Sequence, residues 1–383
     1  MAKKSHHAAR GSVTTGVDRR QFLGTGMAIG LGAGTLLADL GLSRHAKAQT
    51  AAPASPPAAA GPPPGRPSLP PEPTVAQPPP LKDLKGKVAY ISASSDGIGL
   101  GIARAASNAG MIVVIGYRNE ERLKAALPLF KEGNPGVMPI KHDVTERDGW
   151  KNLVEQVKAK YGKLHLVVNN AGIKTFRQAS AARFEEWDNA VAVNCTAIYN
   201  SVAACLPHML EHGDGGHFVT TASMGGLLPG VNAGVYTSTK IAAVGIMEAL
   251  RVELESTNIG TSVFCPGLVT TDNYIGTGEA NPYHPPGRPN MPMPPGPPPG
   301  MDPLEAGERV LNGVVNNDLF ILSHPEFKPG IKERFDAIMA STPSIETPIP
   351  QPRKDYERVV LRCGIYPREI EHRKANRKSY REV

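Results

Sequence analysis

From residue 87 onward, short apolar runs alternate with longer segments in which apolar residues recur every three or four positions. The first pattern predicts buried β-strands and the second predicts amphipathic helices. The predicted strands cover 88–91, 111–115, 137–140, 164–168, 217–220, 261–265 and 319–322. The predicted helices cover 98–108, 120–131, 146–161, 185–211, 233–255, 303–315 and 329–340. This alternation is typical of an α/β fold with a doubly wound parallel sheet (Rossmann-type), which binds ligands at the carboxyl ends of its strands.

Proline divides the chain, because thirteen of its 37 prolines fall within 53–80 and eleven within 282–303. Segment 49–80 is rich in Ala and Pro and nearly uncharged, so we expect a stiff linker that tethers the domain or wraps around a partner subunit. The folded domain is predicted at 81–345. Within it, we expect 282–303 to form an extended insertion that gates the substrate, contacts a partner or is an inert surface loop.

The first 48 residues have the pattern of an export signal. Arg19 and Arg20 precede an apolar, Gly-rich stretch at 22–38, and 46–48 supplies the small residues of a cleavage site. The paired arginines indicate the twin-arginine export machinery, and hence a periplasmic or secreted protein. The alternative is an uncleaved membrane anchor, although the stretch is short and ends at Asp39, so it would span a bilayer poorly.

The net charge of +7 lies at the two ends of the chain, since 1–48 and 351–383 each carry +5 and the body, 49–350, carries −3. A mildly acidic body argues against nucleic-acid binding. Residues 346–383 are expected to form a charged C-terminal tail that lies solvated on the surface or on a neighbouring subunit; contact with an anionic membrane is the less common alternative. The cysteines show no metal-ligand spacing. His208 and His212 are spaced i, i+4, but no carboxylate completes a ligand set with them, so we expect no metal site.

Candidate chemistry lies in the loops that follow the predicted strands. The turn after the first strand, 92–99, carries Gly97 and Gly99, which let the backbone approach a pyrophosphate at a helix N-terminus. Further along, Tyr236 and Lys240 are spaced i, i+4 and share one helix face. An ammonium beside a phenol favours the phenolate, which makes the phenol a usable acid or base near neutral pH. Ser223, after the fifth strand, could hold a carbonyl or hydroxyl group against that phenol.

Together, Tyr236-x-x-x-Lys240, Ser223, Asn194, the run Asn169-Asn170-Ala171-Gly172 and Pro266-Gly267 resemble the short-chain dehydrogenase/reductase family over residues 82–345. The resemblance implies that Tyr236 is the proton donor and acceptor, and that Lys240 lowers its pKa and binds the nicotinamide ribose. It implies that Ser223 orients the substrate and that Asn194 holds a water in a proton relay. It also implies a homodimer or homotetramer, because the family's helices at 185–211 and 233–255 commonly form interfaces.

The same resemblance implies a nicotinamide cofactor held by the loops at the strand ends. The residues that would contact it are Ser92, Ala93, Ser95, Gly97, Ile98, Gly99, Arg118, Asp143, Val144, Asn170, Ala171, Gly172, Pro266, Gly267, Val269 and Thr271, together with Tyr236 and Lys240. Asp143 is expected to contact the adenine, Asn170 and Ala171 the adenosine ribose, and the loop from Pro266 the nicotinamide carboxamide.

Two features qualify the cofactor site. The family's glycine-rich motif usually begins Thr-Gly, whereas this chain has Ser92-Ala93, so a methyl group is added where the backbone meets the cofactor. After the second strand the chain has Arg118 where an acid would accept the ribose hydroxyls of NAD. A guanidinium there suits the 2′-phosphate of NADP, so NADP is favoured over NAD, although Arg118 could also lie in solvent with no effect on the choice.

We therefore expect an exported NADP-dependent oxidoreductase that moves hydride between the nicotinamide and a small-molecule alcohol or carbonyl substrate. The alternative is a binding or structural module on a retired dehydrogenase scaffold, for which the Pro-rich segments and Ala93 speak. The presence of Ser223, Tyr236, Lys240 and Asn194 speaks against it.

Overall fold

The computed structural model describes residues 73–131, 136–271, 300–344, 348–354, 364–375 and 377–382. The expected export signal, most of the linker at 49–80 and most of the insertion at 282–303 lie outside these residues. Those segments and their boundaries stay predictions.

Seven parallel strands form one sheet in the order β3-β2-β1-β4-β5-β6-β7. They are β1 (Val88–Ile91), β2 (Ile112–Tyr117), β3 (Val137–Lys141), β4 (Leu166–Asn169), β5 (Gly216–Thr221), β6 (Ile259–Cys265) and β7 (Phe320–Leu322). All seven predicted strands are confirmed, with boundaries shifted by one or two residues. The strand order reverses between β1 and β4, where the carboxyl ends leave a crevice for a ligand.

Helices cover both faces of the sheet, as a doubly wound fold requires. They are α1 (Gly97–Asn108), α2 (Glu120–Ala126), α3 (Arg147–Tyr161), α4 (Phe184–Val191), α5 (Ala197–His212), α6 (Gly234–Leu254), α7 (Pro303–Val315), α8 (Lys328–Ala340) and α9 (Ile365–Lys374). Side chains of β1 alternate between the two apolar layers, since Val88 and Tyr90 join one and Ala89 and Ile91 the other. The fold class predicted from the sequence is confirmed.

The helix predicted at 185–211 is interrupted. Residues 184–212 are helical throughout, but Ala192–Thr196 form a π-helical turn between α4 and α5. By length and composition alone, this segment could cross a membrane. Several of its apolar side chains, among them Ile198, Cys205 and Met209, are buried in the core. The π turn carries Asn194 and places it beside the carboxyl end of β4.

Part of the expected charged tail packs on the domain instead of being solvated, whereas residues 351–354 are exposed. Helix α9 and the residues after it pack on the domain, where Ile365 and Tyr380 are buried. The basic residues meet acids of the domain, as in the ion pairs of Arg368 with Glu255 and of Arg377 with Asp318. A charge pattern does not reveal such pairing, because the partners lie more than fifty positions away in the sequence.

The end of the expected linker also contacts the domain. Residues 73–80 contain neither helix nor strand, but the side chain of Gln77 is buried and donates to the carbonyl oxygens of Leu254, Thr257 and Ile259. Asn317 in turn donates to the backbone and side-chain oxygens of Gln77. These hydrogen bonds of the Gln77 side chain therefore fix the start of the domain to the end of α6 and to the amino end of β6. This is the end of the sheet opposite the carboxyl ends of the strands.

Candidate active site

The turn after β1 is held by the hydroxyl group of Ser92. It accepts hydrogen bonds from the backbone N–H groups of Asn170 and Ala171, both at 2.9 Å, and donates to the carbonyl oxygen of Val168 at 3.2 Å. The Asn170 amide donates back to the Ser92 carbonyl at 3.2 Å. A serine thus suffices at this position, because the hydroxyl group ties the loops after β1 and β4 together across the crevice.

Ala93 adopts the left-handed conformation, with φ of +49°, which L-residues other than Asn and Asp rarely adopt. The methyl group of Ala93 therefore makes this backbone conformation unfavourable. It also lies where the backbone is expected to meet the cofactor. Four residues after Ser95, Gly99 permits a close approach, since a Cβ there would lie 2.4 Å from the Ala93 carbonyl oxygen. Ser95 and Ile98 lie half-buried on the same turn, which leads into the N-terminus of α1.

The loop after β4 meets the π-helical turn. Asn194 is 3% exposed; its Oδ1 accepts from the N–H of Ile173 at 2.9 Å, and its Nδ2 donates to the carbonyl of Ile173 at 3.0 Å. Nδ2 also donates to the hydroxyl of Thr239 on α6 at 3.0 Å. The side chain of Asn194 therefore clamps the loop to α6. In this arrangement it positions the site, and its expected water-holding role stays a prediction.

Ser223, Tyr236 and Lys240 come together at the carboxyl end of β5. Gly225 lies between the first two, since a Cβ there would be 3.2 Å from Cε1 of Tyr236 and 3.5 Å from Oγ of Ser223. The Ser223 hydroxyl accepts from the N–H of Gly225 at 3.0 Å. Nζ of Lys240 lies 5.7 Å from the centre of the Tyr236 ring. The ring centre of Phe176 lies 5.5 Å from that of Tyr236, so Phe176 also lies beside this group.

Lys240 is buried at the base of the site, 5% exposed, and its Nζ donates to the carbonyl oxygen of Thr221 at 3.0 Å. Burial is the main reason why the pKa of Lys240 falls to about 8; Cys195 and Cys265 act to raise it, and the charge of Lys174 acts to lower it. The ammonium form therefore still predominates near neutral pH. A positive charge held beneath the tyrosine favours its ionised form.

The outer end of the crevice carries two guanidinium groups. Nη1 of Arg118 lies 3.2 Å from Oδ2 of Asp143, and Nη1 of Arg122 lies 2.7 Å from Oδ2 of Asp96. Partial burial would raise the pKa of Asp143, but hydrogen bonds from Thr145 and the charge of Arg118 outweigh it and hold that pKa below its usual value. Each of the two carboxylates thus has a guanidinium partner.

The loop after β6 closes the other side of the crevice. The carbonyl oxygen of Pro266 accepts from the N–H of Met224, next to Ser223, at 2.9 Å. Val269 is buried and pairs with Met301, and Thr271 reaches the glycine-rich turn, since a Cβ on Gly97 would lie 3.1 Å from its Cγ2. Residues predicted from distant parts of the chain therefore line one crevice.

The remaining predicted residues lie on the same crevice. Val144 is buried beside Asp143, and its carbonyl oxygen accepts from the Trp150 indole. A Cβ on Gly172 would lie 3.3 Å from Nζ of Lys240 and 3.4 Å from Oδ1 of Asn194, so Gly172 borders both side chains directly.

Several residues of this site were not predicted from the sequence. They are Lys174, Phe176, Thr221, Thr239 and His324. Lys174 and Phe176 follow the Asn-Asn-Ala-Gly run directly, which was a usable signal. Thr221 acts through its backbone carbonyl, which no side-chain pattern reveals.

A parallel sheet whose crevice holds a glycine-rich turn and a paired tyrosine and lysine defines a nucleotide-dependent oxidoreductase. The family model for short chain dehydrogenase matches residues 87–281. The chain belongs to the short-chain dehydrogenase family, whose members are oxidoreductases that use a nicotinamide cofactor.

Similar proteins agree with this assignment. The C alpha-dehydrogenase of Sphingobium sp. strain SYK-6 is 26% identical over 289 residues, which cover 70% of this chain and 90% of that protein. A solved short-chain dehydrogenase structure from Novosphingobium aromaticivorans is 31% identical, with a TM-score of 0.62, covering 77% of this chain and 99% of the other. The apo form of LigO from Sphingobium sp. strain SYK-6 is 31% identical, with a TM-score of 0.59, covering 77% and 100%.

Proposed function

We propose that the protein is an exported, NADP-dependent oxidoreductase that transfers hydride between the nicotinamide and a small-molecule alcohol or carbonyl compound. The observation that carries this proposal is the buried Lys240 ammonium beneath Tyr236, with Ser223 on the other side of Gly225. This arrangement provides an acid/base beside a hydrogen-bonding hydroxyl group, as reduction of a carbonyl requires.

The crevice fits a dinucleotide. The glycine-rich turn leads into the N-terminus of α1, whose backbone N–H groups suit a pyrophosphate. Asp143 and Asn170 would hold the adenosine end, while Lys240 and the loop from Pro266 to Thr271 would hold the nicotinamide end. When bound, the nicotinamide supplies or accepts the hydride.

The residues of the chain manage the proton. The Tyr236 hydroxyl donates a proton to the carbonyl oxygen during reduction and removes it from the alcohol during oxidation. Lys240 stabilises the tyrosinate that reduction leaves, because its ammonium is desolvated and therefore interacts more strongly than in water. Ser223 holds the reacting oxygen beside Tyr236. The hydrogen bonds of Asn194 to Ile173 keep the loop after β4 in place.

Arg118 supports a preference for NADP. Its side chain is 50% exposed and its partner Asp143 is 39% exposed, so their ion pair is screened by water and contributes little stability. The guanidinium can therefore turn to a 2′-phosphate at small cost, where it would form charge-assisted hydrogen bonds. Arg122 lies on the same side and compensates Asp96, which would otherwise repel the phosphates.

Binding of the two nucleotides tests this part of the proposal. Titration of the purified full chain with NADPH and with NADH, followed by nucleotide fluorescence, should give tighter binding of NADPH. A protein that binds neither nucleotide would refute the proposed activity, and one that binds both equally would refute only the preference.

Export by the twin-arginine machinery, to the periplasm or beyond, is proposed from Arg19 and Arg20 and the apolar stretch that follows. Replacing both arginines by lysine should retain the protein in the cytoplasm of a bacterium that has this pathway. Fractionation followed by immunoblotting measures the outcome. Unchanged export of the double variant would contradict the proposal, and a membrane-bound wild type would favour the uncleaved anchor.

Self-association is proposed as a homodimer or homotetramer. The family's interface helices correspond here to α4, α5 and α6, which expose large apolar side chains: Phe184, Trp187, Tyr199, Leu210 and Ile241. Exposed apolar clusters of this kind favour association. Light scattering of the purified chain would measure its mass, and a monomer would contradict the proposal.

A further inference from the structure

His324 contacts the loop after β6 through both nitrogens of its ring. The backbone N–H of Gly267 donates to Nδ1 at 2.9 Å, and Nε2 lies 3.0 Å from the carbonyl oxygen of Leu268. Because a backbone N–H can only donate, Nδ1 must accept, so the proton is on Nε2 and donates to Leu268. The imidazole is therefore neutral and forms hydrogen bonds to two consecutive residues of one loop.

The ring also lies close against Gly267 of this loop. A Cβ on Gly267 would be 2.7 Å from Cγ of His324 and 2.9 Å from Cε2 of Phe327, so glycine alone permits the approach. The hydroxyl of Ser323 lies 2.8 Å from Nδ1 and adds to the contact. His324 thus joins the end of β7 to the loop after β6, immediately before the segment that leads into α8.

We propose that His324 is a positioning residue for the nicotinamide half of the cofactor. This role rests on the proposed function, in which the loop from Pro266 to Thr271 contacts the nicotinamide. Without the imidazole, the N–H of Gly267 and the carbonyl of Leu268 lose hydrogen-bond partners, and the loop gains freedom that binding must then remove. The adenosine half, which the loops after β1, β2, β3 and β4 would hold, should not depend on His324.

Three substitutions separate the two hydrogen bonds. H324N keeps an acceptor near the position of Nδ1, H324Q keeps a donor near that of Nε2, and H324L keeps neither. E326A changes an exposed side chain two positions away and is the matched control. Each full-length variant is titrated with NADPH and with adenosine 2′,5′-bisphosphate, which lacks the nicotinamide half.

The expected result is that H324L binds NADPH about tenfold or more weakly, with smaller losses for H324N and H324Q. Binding of adenosine 2′,5′-bisphosphate should be unchanged in all variants, and E326A should match the wild type for both ligands. If H324L does not fold, H324N and H324Q carry the test, and both must bind NADPH more weakly than the wild type.

Equal losses for both ligands would show a merely structural role and overturn the inference. So would variants that bind NADPH as tightly as the wild type. A wild type that binds neither ligand would refute the proposed function itself, which distinguishes that failure from a failure of the role of His324.

Discussion

Replacing Ala93 by glycine should make the protein more stable, although glycine usually destabilises. Ala93 has φ of +49° and is exposed, so removal of its methyl group relieves backbone strain and leaves no cavity. The left-handed conformation costs an L-residue about 1–2 kcal/mol. Glycine costs about 0.5–1 kcal/mol in added freedom of the unfolded chain. We therefore expect a net gain of about 0.5–1 kcal/mol in the free energy of unfolding.

The control for this substitution is A182G, because Ala182 has an ordinary φ of −74°. There glycine relieves no strain, so the variant should lose about 0.5–1 kcal/mol. Urea unfolding followed by circular dichroism measures both variants. Loss of stability in A93G equal to that in A182G would refute the reasoning. NADPH should also bind A93G at least as tightly as the wild type, because the methyl group no longer lies beside the cofactor.

Three further predictions concern the cofactor, the packed tail and acid stability. R118A should weaken NADPH binding by roughly 10–100-fold with little change for NADH, as titration will show; equal losses for both would contradict a contact with the 2′-phosphate. E255Q should lower the free energy of unfolding by about 3 kcal/mol, because Arg368 would stay buried without its carboxylate, and an unchanged urea midpoint would contradict this. Burial lowers the pKa of His142 and of His165 to about 4, so between pH 6.5 and 4 the unfolded chain binds protons that the folded chain does not. The thermal stability should therefore fall as the pH drops from about 6.5 to 4, and a melting temperature that does not change over this range would contradict the prediction.

The sheet was predictable because its strands are buried on both faces and appear as apolar runs between helices of clear period. The π-helical turn was not predictable, because it only inserts an extra residue into a helix whose apolar period continues on both sides of it. Pairing of the tail was also missed, since Arg377 and Asp318 are far apart in sequence and an exposed charge has the same appearance as a paired one.

At the candidate site, the reactive side chains were easier to predict from the sequence than the backbone conformation and hydrogen bonds that hold them in place. The spacing of Tyr236 and Lys240 predicted their shared face, and the structure places them together. Ala93 was recognised as a departure, but its positive φ depends on the turn and cannot be deduced from the residue alone. The contacts of His324 could not be predicted, because its hydrogen bond to Gly267 joins segments that are 57 positions apart.

Replacement of Tyr236 by phenylalanine tests the central claim most directly. The measurement is turnover of NADPH with the first carbonyl compound that the wild type reduces, alongside the dissociation constant for NADPH. The account predicts that kcat falls by about 10²–10⁴-fold while NADPH binding changes little, because only the proton donor is lost. A variant that keeps the turnover of the wild type would contradict the assignment of Tyr236 as the acid and base of this enzyme.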